Sequence, residues 1–177
     1  MKTTMIIPTY WGRKKSEGWK ETDAVYDHPT PLDEEGTLAR ILTSLSVLHR
    51  QDFNLVVIGI PTAPDIQEEV EAKISSIIKE VKTNLPTFFF SHSHLVKIHQ
   101  YLKKKNQQIF IPLLKLRGYA NVRNLCLFLA QLFGSEAAIL IDDDEIFEDP
   151  LFMDKALQYI GGLWKNERVL AVAGYYL

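Results

Sequence analysis

The chain has 177 residues, 46% of them hydrophobic and 11% aromatic, enough to bury one sizeable core and too apolar for wholesale disorder. A formal net charge of −2 and a pI near 6.2 exclude the basic surplus on which general nucleic-acid binding rests. One cysteine excludes an internal disulfide framework, and neither a signal-peptide core nor a bilayer-length apolar run is present, so the sequence reads as a soluble cytoplasmic protein with no integral membrane segment.

In chain order, "TTMIIPT" predicts a first strand centred on residues 5–8 and stopped by Pro8. Residues 11–32 form a long irregular stretch, of a length that is usually functional or mobile. "DEEGTLARILTSLSVLHR" predicts a helix with Asp33 as its N-cap and an apolar stripe of Leu38, Ile41, Leu42, Leu45 and Leu48. "NLVVIGI" is a second strand, residues 55–60. "PDIQEEVEAKISSIIKEVK" is a helix capped by Asp65, with Glu68 three residues on and Ile66, Val70, Ile74, Ile77 and Val81 on one face. "PTFFF" reads as a short strand and "HLVKIHQYLKKKN" as a helix with a basic end. "IFIPLLKL" predicts a strand at residues 113–116, part of it pushed to an edge or bulge by Pro112. "YANVRNLCLFLAQLFG" is a buried helix closed by Gly134, with Cys126 as a small buried hydrophobe in it. A strand at residues 138–141, a helix over 151–160 ending in Gly161-Gly162, and a last strand at 169–173 complete the series. The alternation predicts a single α/β domain: three layers, α/β/α and Rossmann-like, around a mostly parallel sheet.

The run "AAILIDDDEIFEDP" places Asp142, Asp143 and Asp144 directly behind a buried strand. Adjacent carboxylates repel one another and resist desolvation unless a positive charge sits among them, so they lie in open water or hold a cation. In extended chain Asp142 and Asp144 face one point and Asp143 the other side. Two carboxylates aimed at one point suit Mg²⁺ or Mn²⁺, hard cations that share oxygen ligands with substrate phosphates. The competing reading is a solvated acidic turn, since Glu145, Glu148 and Asp149 continue the run. If the strands are parallel, the aspartates leave the same sheet edge as residues 11–32, the edge at which open α/β sheets bind ligands.

Other phosphate devices are missing. There is no G-x-x-x-x-G-K-[ST] to accompany an ATPase strand, and no G-x-G-x-x-G behind the first strand. "HSHLVKIH" has neither the i, i+4 spacing of a helical zinc pair nor that of a finger, so His92, His94 and His99 read as surface or satisfied side chains.

"MIIPTY", a helix, a second strand–helix unit and then "GYANVRNLCLFLAQLFGSEAAILIDDDE" together resemble the family-2-like inverting glycosyltransferases of the GT-A fold. The resemblance spans most of the chain and is carried by Pro8, Thr9 and Tyr10, by Arg123-Asn124, and by Asp142 to Asp144. It implies a donor site for a UDP- or GDP-sugar, the last aspartate binding the metal (Asp144, with Asp142 assisting) and Pro8, Thr9, Tyr10, Arg123, Asp142 and Asp143 around the nucleotide. Arg123 has a second reading, a surface helix arginine. Two departures stand out: Gly59 and Ile60 occupy positions where that family places uracil-reading acids, and the stretch after the first strand is much longer than usual. No residue matches the family's catalytic base, so the chain reads as the nucleotide-binding half of a transferase with an unknown acceptor.

Three other readings compete. A haloacid-dehalogenase-type phosphatase uses the first aspartate after such a strand as nucleophile, but there most of the domain follows that strand, whereas here most precedes it. A sugar nucleotidyltransferase needs a glycine-rich signature that "IPTYWGRKKSEG" lacks. The third is a non-catalytic nucleotide-sugar-binding or interaction domain.

Overall fold

A computed structural model describes residues 1–174. Its elements are β1 (Thr3–Gly12), β2 (Thr30–Pro31), α1 (Leu38–Ser44), β3 (Phe53–Pro61), α2 (Gln67–Val81), β4 (Thr87–Phe90), α3 (His92–Lys104), α4 (Tyr119–Leu132), β5 (Ala137–Leu140), α5 (Phe152–Leu157) and a small hairpin, β6 (Leu163–Trp164) with β7 (Glu167–Arg168). β1 to β5 form one sheet and every pairing in it is parallel. β1 lies at its centre, paired along one edge with β3 from Thr3↔Phe53 to Trp11↔Pro61, with β4 outside β3. The other edge of β1 is shared: β5 takes Thr3 to Ile6, and the two-residue β2 takes Trp11 and Gly12.

The side chains of β1 divide by parity, as a pleated strand requires. Met5, Ile7 and Trp11 join the core beneath α1, α2 and α5, whereas Ile6 joins the core beneath α3 and α4. Both faces are therefore covered and the strand reads as a continuous apolar run. The helices supply matching stripes: Val70, Ile74 and Ile77 on α2, and Val122, Leu125, Cys126 and Leu129 on α4. The result is a three-layer, Rossmann-like α/β/α domain. No helix among the described residues is long and apolar enough to cross a membrane.

β1 does not stop at Pro8; it runs on to Gly12. Along β1 the backbone polar groups of even residues face the edge shared by β5 and β2: Ile6 accepts from Ile141 N and Gly12 from Leu32 N, while the carbonyl of Trp11 points the other way and accepts from Thr62 N. Pro8 thus turns its missing N–H toward the one stretch where no strand lies alongside, and no ladder bond is lost. Asp33 does not cap α1. Gly36 interposes at φ +70°, where an added Cβ would come within 2.7 Å of Thr30, and the helix begins behind Thr37. Asp33 instead accepts from Lys15 N at 2.9 Å.

Two expected strands do not form. In residues 113–116, Leu114 and Leu116 do alternate into the core, but Pro112 sits inside a 3-10 turn (Gln108–Leu113) and the stretch packs over a face of the sheet, not along an edge. Residues 169–173 follow the β6–β7 hairpin, which Lys165 and Asn166 turn with φ of 50° and 66° and which Gly161 and Val169 close by a backbone bond. That closure holds the run away from the sheet, with Leu170 80% exposed. The last two residues of "VLAVAGYY" lie outside the described residues. The helix expected over 151–160 is shorter, Phe152–Leu157.

Among the glycines, Gly59 leaves the least room for a side chain. An added Cβ would fall 2.6 Å from Ile74 Cδ1 and 3.1 Å from the Phe89 ring. Gly59→Ala is therefore expected to destabilise the fold by roughly 1–3 kcal/mol through overpacking, read as a lower urea midpoint with an unchanged slope.

Candidate functional site

After the two-residue β2 the chain crosses β1 to form β3 and β4 and then returns to the opposite side of β1 as β5. The strand order reverses there, and in open α/β sheets the crevice beyond the carboxyl ends of the two strands flanking such a reversal is where ligands bind. β5 ends at Leu140, so Asp142, Asp143 and Asp144 follow it at that end of the sheet, beside the stretch of β1 that no strand pairs.

Each aspartate has different surroundings. Asp142 accepts from Arg123 Nη2 at 2.7 Å. α4 runs into β5 through a short turn, so its first turns stand above the carboxyl end of the sheet, and this brings Arg123 to Asp142. Burial pulls the Arg123 guanidinium down, but the bond and charge of Asp142 outweigh it and hold it above its ordinary value. Asp143 turns to the other face, where Thr9 Oγ1 donates to it at 2.5 Å; Thr9 in turn accepts from Trp11 Nε1 at 2.9 Å. Desolvation, reinforced by the negative charge of Asp144, pushes the Asp143 carboxyl up to about 6 against the pull of Thr9. Asp144 is exposed and takes part in no hydrogen bond or ion pair among the described residues. Glu145, half-buried behind them, is raised by burial and by Asp142 and Asp144.

Tyr10 sits on the α3–α4 face of the same crevice. Its ring meets Tyr26 at 4.5 Å and Tyr119 at 5.5 Å between centroids, and those two meet at 5.2 Å. Tyr26 accepts from Gly118 N and Tyr119 from Asp27 N, but the buried Tyr10 hydroxyl has no partner among the described residues. Burial raises its pKa, with Arg123 opposing.

The long stretch after β1 is fastened by Arg13. Its guanidinium grips Asp23 and Asp65 at once, with Nη2 at 3.0 Å from Asp23 and 2.7 Å from Asp65, and both carboxyls are held below their usual range. Asp65 is thereby taken out of its expected capping role; the 3-10 turn Pro64–Ile66 leads into α2 instead. Lys14–Glu69 and Lys15–Glu34 pairs add to this, and Ala24 N bonds Thr62 O at 2.7 Å.

The expected site residues thus form two hydrogen-bonded pairs, Thr9 with Asp143 and Arg123 with Asp142, and Tyr10 lies near Arg123. Pro8 is buried within β1, in the stretch that neither β5 nor β2 pairs. Asp142 and Asp144 are the candidate metal ligands; no group of three His, Cys, Asp or Glu side chains forms a ready metal cage among the described residues, so a cation there would take further ligands from water and phosphate. The histidines are satisfied or exposed: His94 Nδ1 closes the capping box with Ser91 and His99 Nε2 bonds Leu114 O. Cys126 is fully buried, its thiol pushed up to about 12 by burial. Sequence reasoning missed Arg13 with Asp23, and Tyr26 with Tyr119, because in each pair at least one partner lies in an irregular stretch, which leaves no periodic trace. Compared with models of known protein families, with curated proteins and with solved structures, the chain matches none.

Because the folded pKa of Asp143 lies near 6, above its ordinary 3.8, its contribution to stability is complete below about 4 and lost as pH rises through about 6. Asp143→Asn is expected to flatten the pH dependence of stability across that window and to raise stability at pH 8 by on the order of 1 kcal/mol, less than a two-unit shift implies in full because the carboxyl is not completely buried. Urea unfolding at pH 4.5 and pH 8 measures both.

Proposed function

We propose that this chain binds a nucleoside diphosphate-sugar in the crevice between β1 and β5, as the donor-binding part of a metal-dependent glycosyltransferase of the GT-A fold. The observation that supports this reading best is the position and state of Asp144: an exposed carboxylate without a partner, at the carboxyl end of β5 where the strand order reverses, next to an Asp142 already held by Arg123. A Mg²⁺ or Mn²⁺ held by Asp144, with Asp142 assisting, would neutralise the charge that develops on a departing diphosphate. The donor set suits such an ion, being oxygen throughout. The orphaned Tyr10 hydroxyl suits a ligand as well, since a buried polar group without a partner costs stability unless something arrives to pair with it.

In this reading Arg123 divides its donors between Asp142 and a phosphate, and Thr9 keeps Asp143 turned away, so that three carboxylates do not crowd one ion. Pro8 lies in the stretch of β1 that neither β5 nor β2 pairs, nearest the proposed nucleotide.

Titration calorimetry with UDP and GDP, with and without Mn²⁺, tests the reading. Binding is expected only with the metal, and Asp144→Asn is expected to weaken it by about tenfold or more, as a chelator would. Cys126→Ser should leave it intact. Metal-independent binding unaffected by Asp144→Asn would mean that the aspartates form only a solvated turn.

Tyr10→Phe separates ligand binding from folding. Stability is expected to stay level or rise, since the hydroxyl removed was unpaired, while nucleotide affinity falls. Unchanged affinity in calorimetry would place Tyr10 outside the site.

A further inference from the structure

A second cleft, of about 240 Å³, opens on the other side of β3. Its walls come from three places: the exit of β3 with the turn into α2, one face of α3, and the stretch before α4. None of Asp142, Asp143 and Asp144 lines it. Leu95 and Leu116, both buried, give it an apolar floor. Lys115 and Arg117 stand at its mouth and make no ion pair among the described residues; Arg117 is held only by the Thr22 carbonyl at 3.0 Å. His92 and His99, two turns apart on α3, lie along the same wall, His99 fixed by its bond to Leu114 O. Thr62, 4% exposed, completes the lining with a hydroxyl that has no partner among the described residues. Glu71 sits nearby and accepts from the first amide of α3 at 3.2 Å, so anion recognition here would fall to the side-chain cations and not to the helix end.

We propose that this cleft is a binding site for a small organic phosphate. Two free cations at a mouth and one unpaired hydroxyl suit a phosphate's several acceptor oxygens, and an apolar floor suits the body that carries it. A phosphate carrying about one small ring suits this volume. The inference does not rest on the metal reading of the aspartates, since none of the cleft's residues belongs to that crevice.

Phenyl phosphate is the probe, followed by ¹H–¹⁵N NMR of the whole chain in the presence of a chelator, which removes any divalent cation. Saturable shifts are expected at the amides of Gln67, His92, Lys115 and Arg117, with a dissociation constant of roughly millimolar order. Phenol should give none and inorganic phosphate weaker ones. The Lys115→Ala, Arg117→Ala double substitution, at two exposed positions, should weaken phenyl phosphate at least tenfold, and Lys115→Gln alone should weaken it less. Asp144→Asn should leave it unchanged, which separates this site from the nucleotide reading. Shifts that fail to saturate, that centre on Asp142, or that survive the double substitution would overturn the proposal.

Discussion

The hydrogen-bond relay from Trp11 through Thr9 to Asp143 is the tie on which the arrangement of the acidic loop depends. Three consecutive carboxylates cannot occupy one low-dielectric environment without protonation or a cation. The fold resolves the conflict by sending neighbours in different directions. Asp143 goes to the α1–α2 face, where a hydroxyl already oriented by a buried indole receives it. Asp142 goes to α4 and a guanidinium, and Asp144 goes to water. Only the middle carboxyl carries a large desolvation cost, and it is also the one bound directly to β1.

Arg13 plays a corresponding part on the far side of β1. It stands just past the strand, nearly buried, and holds an aspartate from its own stretch together with one from the exit of β3. A planar guanidinium with several donors in fixed directions can make both contacts at once, which a lysine could not. Residues 13–29 are thereby pinned over the carboxyl edge of the sheet, and Tyr26 is delivered against Tyr10. The shape of the crevice is set as much by this pin as by the strands.

The sheet was legible in the sequence wherever burial on both faces produced continuous apolar runs, as in "TMII" and "LVVIGI". The helices were legible where an apolar stripe recurred, as with Val70, Ile74 and Ile77. Pro8 misled because its effect on a strand depends on which edge it faces, and that depends on where β5 ends. Leu114 and Leu116 misled for a related reason: alternation records which side chains are buried, not whether a neighbouring strand exists. At the candidate site the aspartates could be read from their position behind β5 and Arg123 from its place early in α4. The partners of Asp143 and of Arg13 could not, since they come from contacts between distant segments with no spacing rule to announce them.

The bare stretch of β1 has one further effect. An uncovered strand edge is a template on which another chain can add a strand, and natural sheets guard such edges with proline and charge. Between β5 and β2 both guards are present: Pro8 offers no donor, and a strand lining up there would have to desolvate the carboxylates that follow β5. The unpaired stretch can therefore persist without becoming a site of aggregation, and replacing Pro8 would remove a safeguard against self-association.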